Sequence, residues 1–136
     1  MKTVFADTGY WIALLDPRDT LHQKAVNLSI ALAQSQLVTS EMVLTEVLNH
    51  FSKRGTFMRQ AAIALIQSIQ NSSAITIVSQ TSTLFYAGLE LYSQRPDQAW
   101  SHTDCASFWI MHQQEIQAAL AYDRHFEQAG FVALLR

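Results

Sequence analysis

"TVFADTGYWIALLD", residues 3–16, decides how the rest of the chain is read. Thr3 to Ala6 form a short apolar run that suits a buried strand. Asp7 follows at once, and "TGYWIALL" reads as a short helix closed near Asp16 and Pro17. A strand that passes straight into a helix opens an α/β chain, and here it leaves a carboxylate at the strand's carboxyl end.

The same alternation continues outward from that unit. "TLHQKAVNLSIALAQS" (20–35) pairs Thr20 with Gln23 as a capping box and sets Leu21, Ala25, Leu28 and Leu32 on one helical face. "QLVTS" (36–40) is a second strand, with Ser40 placed to cap the next helix. In "EMVLTEVLNHFSKRG" the residues Val43, Leu44, Val47, Leu48 and Phe51 form the apolar face, Glu46 and His50 lie on the polar one, and Gly55 ends the helix. A helix from "TFMRQAAIALIQSIQ", a strand "AITIVS" (74–79) and a helix "TSTLFYAGLELYSQ" (81–94) follow. Then come "TDCASFWIMHQQ" as a helix, "AALAY" (118–122) as a strand, "RHFEQ" as one helical turn and "FVALL" (131–135) as a last strand. Strands separated by helices predict a central parallel sheet of four to five strands in a three-layer α/β/α fold, with ligands gathering outside the strands' carboxyl ends.

Length and composition agree. A chain of 136 residues predicts a single domain over 1–136, long enough to bury a core. Its 49% hydrophobic content and 15% charged content argue against disorder. With 11 acids against 9 bases the net charge is −2, so no global positive field marks a nucleic-acid binder, and a polyanion would have to be met locally. Cys105 is the only cysteine, which excludes an intrachain disulfide and a multi-cysteine zinc site. No apolar leader and no uninterrupted apolar run of ~18 residues is present, so the expectation is a soluble cytoplasmic protein with no membrane partner.

Four acids fall toward one edge of the expected sheet. Asp7 follows the first strand and Asp123 the fourth, Glu46 lies in the second turn after strand two, and Asp104 opens the helix before strand four. Each has an ordinary explanation: Asp7 and Asp123 as caps or turn residues, Glu46 as a solvated helix residue, and Asp104 as the capping-box partner of Ser101. Together those explanations weaken, because four carboxylates at one edge repel one another unless protons or cations neutralise them. An all-oxygen cluster with no thiol and no metal-spaced histidine pair suits Mg²⁺ or Mn²⁺ better than zinc. Such an ion activates water and stabilises phosphodiester displacement.

"VFADTGYWIALLD", "VLTEVLNHF", "WSHTDCASFWIM" and "AYDRHFEQAGF", in that order and spacing, resemble the PIN domain, specifically the VapC-like ribonucleases of bacterial toxin–antitoxin systems, over about residues 4 to 134. The resemblance implies a metal-dependent endoribonuclease leaving 5′-phosphate and 3′-hydroxyl ends. It maps the four acidic positions, catalytic and metal-holding, to Asp7, Glu46, Asp104 and Asp123. It also implies an orienting role for Thr103, with Thr8 a weaker candidate, and an RNA substrate, a small antitoxin partner and a homodimer. His102 and Ala121 depart from the pattern, at places where relatives often carry an apolar residue and a threonine.

Other features carry less. Arg124 can meet phosphate or pair with Asp123; Lys53, Arg54 and Arg59 can meet RNA or form a solvated rim. Trp100, Phe108 and Trp109 read as core at their helical spacing rather than as base-stacking residues. Phe57 and Met58 offer apolar surface for a dimer or antitoxin contact, or for packing. A haloacid-dehalogenase-type phosphatase would need a second Asp two residues after Asp7, where Gly9 stands. It and a response receiver would each need a late lysine after a strand, which neither finds. The remaining rival is a non-catalytic RNA-binding or interaction module that retains the fold.

Overall fold

The computed structural model describes residues 2–136. Its elements run β1 (Thr3–Ala6), α1 (Thr8–Leu15), α2 (His22–Ala31), β2 (Gln36–Ser40), α3 (Glu41–Phe51), α4 (Thr56–Asn71), β3 (Ile75–Val78), α5 (Ser82–Gln94), α6 (His102–Gln113), β4 (Ala118–Leu120), α7 (Arg124–Gln128) and β5 (Val132–Ala133). All five strands are parallel, in the order β3-β2-β1-β4-β5. The predicted α/β/α fold and the order of its elements are those observed.

The strand order fixes where a site can form. From β1 the chain steps outward to β2 and β3, then returns across the sheet to β4 on the other side of β1. Right-handed crossovers send the helices of outward and return steps to opposite faces. The packing agrees, with α1 lying against α2, α3 and α4, and α6 against α5 and α7. Adjacent strands β1 and β4 are therefore followed by chain that leaves to opposite sides, and a crevice opens at their carboxyl ends.

Both layers are anchored by apolar side chains. Val4, Phe5 and Ala6 of β1 are fully buried. On the α6–α7 side Phe108 meets Phe126 edge-on at 5.0 Å and Trp100 at 5.0 Å, while Phe5 reaches Phe126 from the sheet at 6.5 Å. Thr39, buried at the end of β2, donates its hydroxyl to the Ala6 carbonyl at 2.9 Å and accepts from the Trp11 indole at 3.3 Å. That hydroxyl clamps β2 and α1 to the last residue before Asp7.

Several details differ from the expectations. The Thr20–Gln23 box does not form; α2 starts two residues later, where the Asp19 carboxylate accepts from the Leu21 N–H at 2.9 Å. Gly55 does not end α3, which stops at Phe51; its φ of 89° instead makes the turn into α4. Leu48 is exposed rather than part of the α3 core face, which Met42 joins instead. Trp109 is half-buried against the core, whereas Trp100 and Phe108 are buried. The last two strands are shorter than "AALAY" and "FVALL", at three and two residues. Among the described residues no helix is long and apolar enough to cross a membrane.

Candidate active site

Asp7 owes its position to β1. Its backbone N–H donates to the Leu120 carbonyl of β4 at 3.1 Å, so it sits on the seam between the two central strands, and its own carbonyl starts α1. Glu46 lies on α3, whose start is fixed by the Ser40 hydroxyl accepting from the Val43 N–H at 3.1 Å. Asp104 is the third residue of α6 and closes a full capping box: its N–H donates to the Ser101 hydroxyl, and its Oδ2 accepts from the Ser101 N–H, each at 3.0 Å. Asp123 caps α7 by accepting from the His125 N–H at 3.1 Å.

All four acids line one cleft of about 940 Å³, outside the carboxyl ends of β1 and β4. Thr8 and Arg124 line it too; Thr103 does not, and its carbonyl instead accepts from the Ser107 hydroxyl within α6. Thr8 donates its hydroxyl to Glu46 Oε1 across the gap between α1 and α3. A smaller hollow of about 480 Å³ beside Arg95, Trp100 and Cys105 is lined by no carboxylate.

Burial and the crowding of like charge both act on Asp7. Burial first, and then the nearby Asp104, Glu46 and Asp123 carboxylates, push Asp7 up from the ordinary 3.8 to about 8, against a partial offset from the Thr8 backbone N–H. A buried carboxyl facing three others is held uncharged unless a cation restores the balance.

The donor set is all carboxylate, which fits a hard divalent cation. As the side chains stand, no three described His, Cys, Asp or Glu residues come together closely enough to hold an ion. Their existing partners account for part of this. Glu46 Oε1 is taken by Thr8, Asp104 Oδ2 by Ser101 and His125, and Asp123 Oδ1 by the start of α7. Each keeps its second oxygen without a hydrogen-bond partner among the described residues.

Several cleft residues carry no role in the sequence pattern alone. His125 stands with Nδ1 2.8 Å from Asp104 Oδ2 and 3.2 Å from Asp123 Oδ1. His50, one helical turn after Glu46, shares its face of α3 and lines the cleft; the i, i+4 spacing was the available signal. Tyr122 and Arg136 form a basic rim, the guanidinium 5.0 Å from the ring centre and tied to the Tyr122 carbonyl at 3.0 Å and to Glu127 at 3.1 Å. Only folding brings residue 136 beside residue 122. His102 reaches the Phe85 carbonyl at 2.8 Å and packs over Gly88, which makes it an α5–α6 contact.

The family model for the PIN domain matches residues 4–132. The 23S rRNA-specific endonuclease VapC20 of Mycobacterium tuberculosis, from strains CDC 1551 and H37Rv, is 31% identical over 129 residues, covering 95% of this chain and 95% of the relative. The crystal structure of M. tuberculosis VapC20, a sarcin–ricin loop cleaving toxin, superposes with a TM-score of 0.83 at 29% identity, covering 95% of this chain and 96% of that one. With the family match spanning both central strands and all four acids, the chain belongs to the PIN domain family, among its VapC-like members.

Proposed function

We propose that the chain is a Mg²⁺- or Mn²⁺-dependent endoribonuclease, one nuclease domain over residues 1–136, acting in the cytoplasm as the toxin of a toxin–antitoxin pair. The observation that carries the reading is the gathering of Asp7, Glu46, Asp104 and Asp123, from helices α3 and α6 and from the junctions before α1 and α7, onto one cleft of a PIN-family fold. Asp7, pushed to about 8 by burial first and by its neighbouring carboxylates after it, is held there at a cost in stability that a bound cation would reduce.

Asp7, Glu46 and Asp104 would hold the principal ion, and Asp123 would complete the site or order a second ion and its waters. Thr8, donating to Glu46 Oε1, restrains the Glu46 carboxylate. A divalent cation held there would supply an activated water and charge stabilisation for phosphodiester displacement. Arg124 and Arg136, at the rim, offset phosphate charge where the RNA strand enters, so a chain of net charge −2 still holds a polyanion locally. Cleavage leaves 5′-phosphate and 3′-hydroxyl ends. Phe57 on α4 is 81% exposed, and this helix offers apolar surface for a small antitoxin or a second copy of the chain.

The relative's action on 23S rRNA makes an RNA holding the sarcin–ricin loop the first substrate to test. Cleavage is expected with Mg²⁺ or Mn²⁺, none with EDTA, and a loss on the order of 100-fold or more in Asp104→Asn, which keeps the cap but removes a charge. Undiminished metal-dependent cleavage by that variant would overturn the assignment. RNA binding without cleavage of any substrate would instead favour a non-catalytic module.

A further inference from the structure

His125 is the second residue of α7, a helix of five residues whose placement rests on Phe126, fully buried between Phe5 and Phe108. With Phe126 fixed inward, the preceding side chain is directed to the cleft, where the His125 ring is 25% exposed. Its Nδ1 is 2.8 Å from Oδ2 of Asp104, a residue of α6, and 3.2 Å from Asp123 Oδ1. Its backbone N–H holds the same Asp123 oxygen at 3.1 Å. One residue therefore ties two of the four acids through two different donors.

The capping box alone does not fix Asp104. A single N–H accepted from Ser101 leaves the carboxylate able to turn about its Cβ–Cγ bond, a torsion with a broad, shallow profile. A second donor arriving from another element removes that freedom. It occupies Oδ2 and leaves Oδ1 for an incoming ligand. Only an Nδ1–H is needed, which the imidazolium always carries and the neutral ring carries in one of its two tautomers. Outer partners of this kind set the orientation of metal-binding carboxylates and their affinity.

We propose that His125 is a positioning residue, orienting Asp104 and Asp123 toward the divalent cation rather than fastening α7 to the protein. The proposal rests on the metal-dependent nuclease reading above. The fastening is supplied elsewhere, by the Phe108–Phe126 contact and by the Trp100 indole donating to Gln128 at 3.1 Å.

The test compares wild type with His125→Ala, His125→Asn and Asp104→Asn. Asparagine puts an amide N–H near the place of Nδ1, so it keeps the donor without the ring. Mn²⁺ affinity without RNA is measured by calorimetry, kcat and KM on RNA are measured separately, and melting is followed in EDTA. We expect His125→Ala to weaken Mn²⁺ binding and lower kcat by ~10–100-fold, with KM for RNA and the metal-free melting temperature little changed, and His125→Asn to recover most of both losses. Wild-type Mn²⁺ affinity in His125→Ala, or an Asn variant no better than Ala, would overturn the proposal. So would a collapse of metal-free melting in both variants, which would make His125 a fold contact. If Asp104→Asn loses activity while His125→Ala keeps it, only the role of His125 fails. If wild type neither binds Mn²⁺ nor cuts RNA, the nuclease reading fails and takes this proposal with it.

Discussion

Asp7 has its carboxyl proton held from the ordinary 3.8 up to about 8, by burial first and by Asp104, Glu46 and Asp123 after it. Because the folded value is raised, the group's contribution to stability is fully present below about pH 4 and is lost as pH rises through 8. Asn at this position keeps the shape but cannot ionise, and the Asp7 side chain makes no capping hydrogen bond to α1 that the change would lose. In EDTA, Asp7→Asn is therefore expected to match wild type near pH 4. It should be more stable by a few kcal/mol at pH 9, since each tenfold change in proton affinity on folding corresponds to ~1.4 kcal/mol before the surroundings relax. Urea denaturation at pH 4, 7 and 9 measures it, and a gap that does not widen with pH would refute the strained-acid picture. That the four acids would meet at one cleft was legible because Asp7, Asp104 and Asp123 stand at a strand end or helix start and Glu46 on the polar face of α3, positions readable in one dimension. His125 was not, since its meaning lies in a 2.8 Å contact with a residue 21 positions away. Thr103 is the converse case: its place beside Asp104 in sequence does not bring it to the cleft, because adjacent residues on a helix point about 100° apart.

At the scale of elements, the α5–α6 pair depends on one glycine. A Cβ at Gly88 would come within 3.1 Å of the Ala106 backbone nitrogen and 3.1 Å of the His102 ring, which is itself held by the Phe85 carbonyl. Neither neighbour can yield cheaply, so overpacking of ~1–3 kcal/mol outweighs the ~1 kcal/mol that alanine gains in a helix interior. Gly88→Ala should lower stability by about 1 kcal/mol net, read as an earlier urea midpoint at unchanged slope. A stabilised variant would mean that the two helices slide apart freely. Element order was readable from the sequence because periodicity and caps are local; Ser40 and Ser101 cap as their positions suggest, and Thr81, at the start of the expected helix, caps α5. The misreadings occur where a nearby competitor takes the job. A turn at Asp19, whose carboxylate accepts from the Leu21 N–H and whose carbonyl accepts from the His22 N–H, moves the start of α2 past Thr20, and Gly55 serves the turn after α3 rather than its last residue. At β5 the ladder ends early, and Leu135 donates to the Ala121 carbonyl beyond the end of β4.

Over the whole molecule, the two helical layers diverge at the β1–β4 seam, and the acids are shared between them. Glu46 comes from the α1–α4 layer, Asp104 and Asp123 from the α5–α7 layer, and Asp7 from the seam itself. Without a cation their mutual repulsion is borne by every element that carries one of them. Ligand binding to the native state alone stabilises by mass action, about 2.7 kcal/mol at a hundredfold excess over Kd. For a chain of this length that corresponds to a rise in melting temperature on the order of 8–12 °C. Mg²⁺ or Mn²⁺ should produce such a rise, EDTA should reverse it, and NaCl at matched ionic strength should give only a small part of it through screening. In Asp104→Asn the metal-dependent part should shrink sharply, because an acid of the α6–α7 side no longer reaches across the seam to Glu46 and Asp7. An equal rise with NaCl, or an undiminished one in the variant, would show that the cleft's charge is relieved by screening alone and that the acids do not act together on an ion.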